Sequence, residues 1–255
     1  MIAVHEGRGL SLGPPQRRTV LALLTLASGR AVTVDALRQR IWDGTPPASA
    51  TSAIQVHVHH LRRVLAKAAG GAAGERAPRL VTHPGQPSGR VSYALHVPPD
   101  CVDVQRFRAL AGEGEAAAAA GDMSGAIRCF DAALALWRGE PLLDAQDSDY
   151  IDNARHSLRD LRLDVGKRRA GALLSIGAAA RAATDLWELH AEHPADETVV
   201  VQLARALCAS GATGRALELV TGELDRRQRE YGLQPAALVR QRERIQEGSG
   251  WRDES

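Results

Sequence analysis

Three histidines, His57, His59 and His60, stand within four residues of "IQVHVHHLRR" at positions 54–63. Imidazoles at this density fit two chemistries. They can bind zinc through neutral ring nitrogens, or, with Arg62 and Arg63, hydrogen-bond a polyanion. The spacing discriminates between them. The alternation Ile54, Val56, Val58 fits a strand for five residues only, since Leu61 would then fall on the opposite face. On a helix at about 100° per residue, Ile54, Val58, Leu61 and Leu65 share one arc, bordered by His57 and Val64. Ligands on one helix face need a spacing of three or four. His57 and His60 satisfy it, but His59 points elsewhere. No cysteine is near, and Asp and Glu are absent from 44 to 74. No metal site is therefore expected. The opposite face holds Ser52, Gln55, Val56, His59, His60 and Arg63, with Arg62 on its flank. It is uniformly non-acidic, and its donors suit phosphates and base edges.

The elements around this helix follow from punctuation and periodicity. Ile2 to His5 and Leu10 to Leu12 read as a short hairpin about the turn Glu6-Gly7-Arg8-Gly9. A helix opens on Pro14-Pro15, carries Val20, Leu23, Leu24 and Ala27, and closes on Gly29. Thr33 is a candidate N-cap for a second helix with Val34, Leu37 and Ile41 on one face. The third helix runs from about Ser49 to Lys67. "RLVTH" and "RVSYALHV" then form a hairpin around "PGQPSG", carrying Arg79, His83 and Arg90. Three helices and a hairpin are the plan of a winged helix-turn-helix.

Charge separates the chain into halves. Residues 1–97 hold 12 basic and 4 acidic residues, whereas residues 98–255 hold 20 and 26. A basic first part joined to an acidic second part fits a polyanion binder fused to another module. The second part is helical throughout. Gly121, Gly177 and Gly211 each follow one apolar-periodic helix and precede another, and each has alanine five residues on (Ala126, Ala182, Ala216). The 34 residues from Gly177 to Gly211 are the tetratricopeptide period. An insertion containing "WRGEPLLDAQDSDY" separates the first repeat from the second. The domains expected are 1–97, a winged helix; 98–247, a tetratricopeptide-like all-α module; and 248–255, a flexible tail. The fold class is mainly α with small β elements.

Other chemistries find no constellation. The sequence lacks a phosphate loop of the type G-x-x-x-x-G-K-[ST], and lacks GxSxG, HExxH and CxxC. No catalytic residue and no cofactor is assigned, and the protein is not expected to be an enzyme. Asp144, Asp147, Asp149 and Asp152 lack the glycine and final glutamate of a calcium loop, and read as a solvated turn and helix start. The odd cysteines Cys101, Cys129 and Cys208 form no framework. Cys129 and Cys208 read as buried thiols in a reducing cytoplasm. The longest apolar run, "VLALLTLA" at 20–27, is too short to span a bilayer, so no membrane partner is expected.

"LGPPQRRTVLALLTLASGRAVTVDALRQRIWDGTPPASATSAIQVHVHHLRRVL", followed by "RLVTHPG", resembles the DNA-binding domain of the Streptomyces antibiotic regulatory protein family. The resemblance rests on Leu12-Gly13, Gln16-Arg17, the Val32/Asp35/Leu37/Trp42 segment, Pro46-Pro47 and the helix Ala53 to Leu65. "DVQRFRALAGEGEAAAAAGD", "ALALWRGEPLLD" and "YGLQP" resemble the family's bacterial transcriptional activator domain. The resemblance implies a transcription activator, typically of a secondary-metabolite gene cluster. It implies binding to direct repeats of double-stranded DNA, as a homodimer at least on DNA, and contact with RNA polymerase holoenzyme. Ser52, Gln55, Val56, His59, His60, Arg62 and Arg63 would face the major groove, and Arg90 in the wing the minor groove. The loop from Asp43 to Ala50, with Asp43, Gly44 and Thr45 leading, matches the polymerase-contacting loop of this winged-helix class. Two features depart from the pattern. Eleven residues precede Leu12 where the family carries a longer sheet, and the wing from Pro84 to Tyr93 is longer than the usual compact turn. The alternatives are a protein-interaction scaffold, and a repressor using the same winged helix.

Overall fold

The computed structural model of the chain describes residues 4–5, 8–68, 77–84 and 90–248. By contact it divides into two compact units, 1–108 with 138–160, and 109–137 with 161–255.

In the first unit, strands β1 (Val4–His5) and β2 (Arg8–Gly9) pair antiparallel, Val4 opposite Gly9 and His5 opposite Arg8. Arg8 and Gly9 are thus strand rather than turn. Ile2 and positions 6 and 7 lie outside the described residues. Helix α1 (Pro15–Leu26) starts on the fixed φ of proline, which needs no N–H at this position. It ends in two left-handed residues, Ser28 (φ 51°) and Gly29 (φ 82°). Thr33 caps α2 (Val34–Trp42), its hydroxyl accepting from the Ala36 N–H at 3.1 Å. It also has a second role. Val32–Thr33 is a strand, β3, too short to show alternation. It pairs with β5 (Ser92–His96), which pairs in turn with β4 (Arg79–His83), giving the order β3-β5-β4. Helix α3 spans Ala50–Ala68. The expected wing tip at 85–89 and the loop at 69–76 lie outside the described residues.

Apolar residues of α1, α2, α3 and the sheet, including Leu23, Leu24, Leu37, Ile41, Ile54, Leu61 and Tyr93, make one core. Ala145 and Ile151 belong to it as well. Their segment lies within the 98–247 expected for the helical module, and by contact 138–160 groups with 1–108. The reason is burial plus a row of polar ties. Ile151 is fully buried, a gain of about 1.5–3 kcal/mol. The Gln146 N–H donates to Thr19 Oγ1 at 2.7 Å, and its amide to the Ile41 carbonyl at 3.3 Å. Arg18 donates to Asp144 at 3.0 Å, and the Arg40 guanidinium lies 4.4 Å from the Tyr150 ring centre.

The remaining helices are α4 (Asp103–Ala119), α5 (Met123–Leu134), α6 (Asp149–Ser175), α7 (Ala179–Glu192), α8 (Glu197–Ala209), α9 (Thr213–Tyr231) and α10 (Ala236–Gln246). Gly121, Gly177 and Gly211 close α4, α6 and α8 at φ near +80°. At each, the following residue's N–H bonds a carbonyl five residues back, at 2.8–2.9 Å, and the glycine's N–H bonds the one three back, at 3.0 Å. These are Schellman closures, in which only glycine meets the left-handed backbone without strain. Ala126, Ala182 and Ala216, five residues on, are all fully buried. A β-carbon at Gly114 would sit 2.5 Å from Phe130, and one at Gly166 2.9 Å from Leu189. Small residues thus set the approach of α4 to α5 and of α6 to α7. Cys208 is buried as expected, but Cys129 is only half-buried. Among the described residues no helix is long and apolar enough to cross a membrane. The expected tail at 248–255 lies outside the described residues beyond Gly248.

Candidate nucleic-acid interface

Helix α3 is seated by its apolar stripe. Ile54, Val58 and Leu61 are buried, while Val64 and Leu65 are half-buried at the edge of the core. Anchoring one side turns the other outward. Ser52, Gln55, Val56, His59 and Arg63 are exposed, and His60 is half-buried. Val56 is 52% exposed, an apolar side chain set among donors and able to meet a thymine methyl group. Gln55 carries the donor–acceptor pair that matches the major-groove edge of adenine.

The three histidines separate as the wheel requires. His57 leans toward α1, its Nε2 lying 3.3 Å from Gln16 Oε1. Burial, then the charges of Arg17 and His60, lower its pKa. His59 and His60 meet edge to face with ring centres 5.9 Å apart. The His60 pKa is also lowered, first by the charge of Arg17, then by burial, His59 and Arg63. Among the described residues no three His, Cys, Asp or Glu side chains group to hold a metal ion.

Arg62, expected to face DNA, is exposed and is also engaged by the wing. Its Nε donates to the Leu80 carbonyl at 2.9 Å and an Nη to Thr82 Oγ1 at 2.6 Å. Its guanidinium also lies 5.9 Å from the Tyr93 ring centre. Arg62 therefore ties α3 to the wing strands, and the flank position on the wheel is the reason: that side looks along the sheet. Arg90 is exposed, and its only described ion pair is a 3.9 Å approach to Asp35, which solvent screens. Asp43 (φ 46°) and Gly44 (φ 80°) close α2 in left-handed conformations. The Thr45 N–H and hydroxyl both donate to the Trp42 carbonyl at 2.9 Å. All three are exposed, yet Asp43 is engaged: its carboxylate accepts the Asp149 N–H at 3.0 Å, at the first residue of α6. The structure thus brings Ser52, Gln55, Val56, His59, His60 and Arg63 onto one surface. Arg62 and Asp43 are exposed as well, and each also makes hydrogen bonds within the protein.

A family model described as "Bacterial transcriptional activator domain" matches residues 102–246, and one described as "Transcriptional regulatory protein, C terminal" matches residues 7–86. The transcriptional regulator RedD of Streptomyces coelicolor is 33% identical over 238 residues, which cover 93% of this chain and 65% of RedD. The regulatory protein DnrI of Streptomyces peucetius is 33% identical over 239 residues, covering 94% and 86%. The solved structure of Mycobacterium tuberculosis EmbR in complex with a low affinity phosphopeptide superposes with a TM-score of 0.84 at 30% identity, over 95% of this chain and 62% of that one. The chain therefore spans just under two thirds of RedD and of the solved EmbR chain. Both modules, their order and the exposed α3 face agree: the chain belongs to the Streptomyces antibiotic regulatory protein family of transcriptional regulators.

Proposed function

We propose that the protein is a sequence-specific DNA-binding transcriptional activator working in the cytoplasm, without cofactor or catalysis. The observation that carries this reading is the solvent face of α3, which holds donors and a cation but no carboxylate, seated on a winged-helix core. In this reading Gln55 and Val56 read base edges while Ser52, His59, His60 and Arg63 hold phosphates and bases. Arg62 fixes the wing, and Arg90 reaches the adjacent minor groove. Residues 1–97 supply DNA binding, and residues 98–247 the helical module through which protomers pair on direct repeats. The turn Asp43–Thr45 contacts RNA polymerase holoenzyme. The family's antibiotic regulators support a secondary-metabolite gene cluster as the target.

Two measurements test this. Duplex affinity should fall steeply as salt rises, as phosphate contacts require; no binding even at low salt sinks the reading. Run-off transcription from a bound promoter should rise with added protein. A fall would make it a repressor.

A further inference from the structure

We infer that Arg17, outside the recognition helix, supplies a second-element contact to a DNA phosphate, gripping it together with His60 at the α1–α3 seam. This rests on the DNA-binding reading above and extends it to an element that carries none of the assigned contacts.

The geometry comes from the neighbours. The Gln16–His57 approach of 3.3 Å sets the first turn of α1 against the middle of α3. Arg17 folds back on Gly13, where a β-carbon would lie 2.5 Å from its Nη1. Gly13 has φ +82°, so glycine serves both the backbone there and the guanidinium beside it. Arg18, the next residue, is fully engaged, donating to the Gly13 carbonyl at 2.9 Å and to Asp144 at 3.0 Å. Arg17 is not. Its Nε is buried without a hydrogen-bond partner, and among the described residues no carboxylate pairs with it. The charges acting on His60 come from Arg17, His59 and Arg63, and the His59 ring lies 5.9 Å away; none is acidic. A half-buried guanidinium costs stability without a counter-ion. Placed beside the face that would meet DNA, it gains one when a phosphodiester oxygen arrives.

The test uses the full chain and a fluorescent duplex of mixed sequence, because phosphate contacts do not depend on sequence. Arg17→Gln should reduce the slope of log affinity against log salt by about 0.9. Over a fourfold rise in salt the wild type then loses about 3.5-fold more affinity than the variant. Equal slopes overturn the inference. A measurement on the wild type alone decides should the variant fail to fold. Saturating duplex should raise the His60 pKa, followed by NMR, and shift the Arg17 Nε–H resonance. Neither moving while the duplex is bound overturns it. A wild type with no salt-dependent binding defeats the DNA-binding reading itself. A binding wild type with an unchanged slope in Arg17→Gln defeats only the Arg17 inference.

Discussion

Arg62 offers the sharpest separation of a strut from a DNA ligand. By position it belongs with the DNA-facing residues, but its guanidinium bridges α3 to β4. The bond to the Leu80 carbonyl, 2.9 Å and partly buried, is a charge-assisted bond worth about 1.5–2 kcal/mol. The bond to Thr82 is short but exposed, and contributes about 0.5–1 kcal/mol. The Tyr93 ring at 5.9 Å is at the outer limit of a cation–π contact and adds at most about 0.5 kcal/mol. Arg62→Ala should therefore weaken the wing by about 2–3 kcal/mol. Two compact units make a single unfolding midpoint ill-defined, so the assay is amide hydrogen exchange resolved by residue. Protection of the paired amides of β4 and β5 should fall about 30- to 150-fold, and that of α8 should not change. The salt slope of DNA binding should stay near the wild-type value. Undiminished β4–β5 protection, with a slope lower by about 0.9, would show that Arg62 spends its charge on phosphate, and the strut reasoning would be wrong.

Three further outcomes follow from the same geometry. Gln55→Ala should relax preference at one base pair by about 1–3 kcal/mol, measured across single-base operator variants; equal losses on cognate and scrambled duplexes would contradict a base contact. Gly211→Ala should cost about 1–2 kcal/mol from its φ of +84° alone, since nothing lies within 4 Å of the added carbon; unchanged exchange at the α8–α9 turn would refute the Schellman assignment. His57 is held below the usual imidazole value of about 6.5, by burial first and then by Arg17 and His60. The unfolded chain then takes up its proton first as pH falls. The contribution of neutral His57 is complete above about 6.5 and is lost as pH drops through the folded value. His57→Gln should flatten that acid-side loss in the winged-helix unit, and an identical pH profile would count against it.

What the sequence disclosed, and what it withheld, has a physical pattern. The α3 stripe was legible because burial repeats along 12 residues, so that one misfit, Leu61, suffices to reject a strand. The three glycine closures were legible because a left-handed backbone narrows the choice of residue almost to one. The two-residue strand β3 was not, because alternation needs more than one period, and Thr33 already satisfies a helix cap. Nor was the grouping of 138–160 with 1–108 by contact. Ala145 and Ile151 look the same in sequence whichever core takes them, and the ties to Thr19 and Ile41 join residues more than a hundred positions apart. The same limit explains the arginines. Arg17 and Arg18 are indistinguishable as neighbours in a basic pair, and so are Arg62 and Arg63. A helix turns each pair through about 100°, and the surroundings then decide. Arg18 finds Asp144 and Arg62 finds β4, and each becomes part of the scaffold. Arg17 and Arg63 meet no carboxylate among the described residues. Each basic pair, at the start of α1 and along α3, thus holds one arginine tied into the scaffold and one that meets no carboxylate among the described residues, and on the proposed DNA-binding reading only the latter should register in the salt dependence of binding.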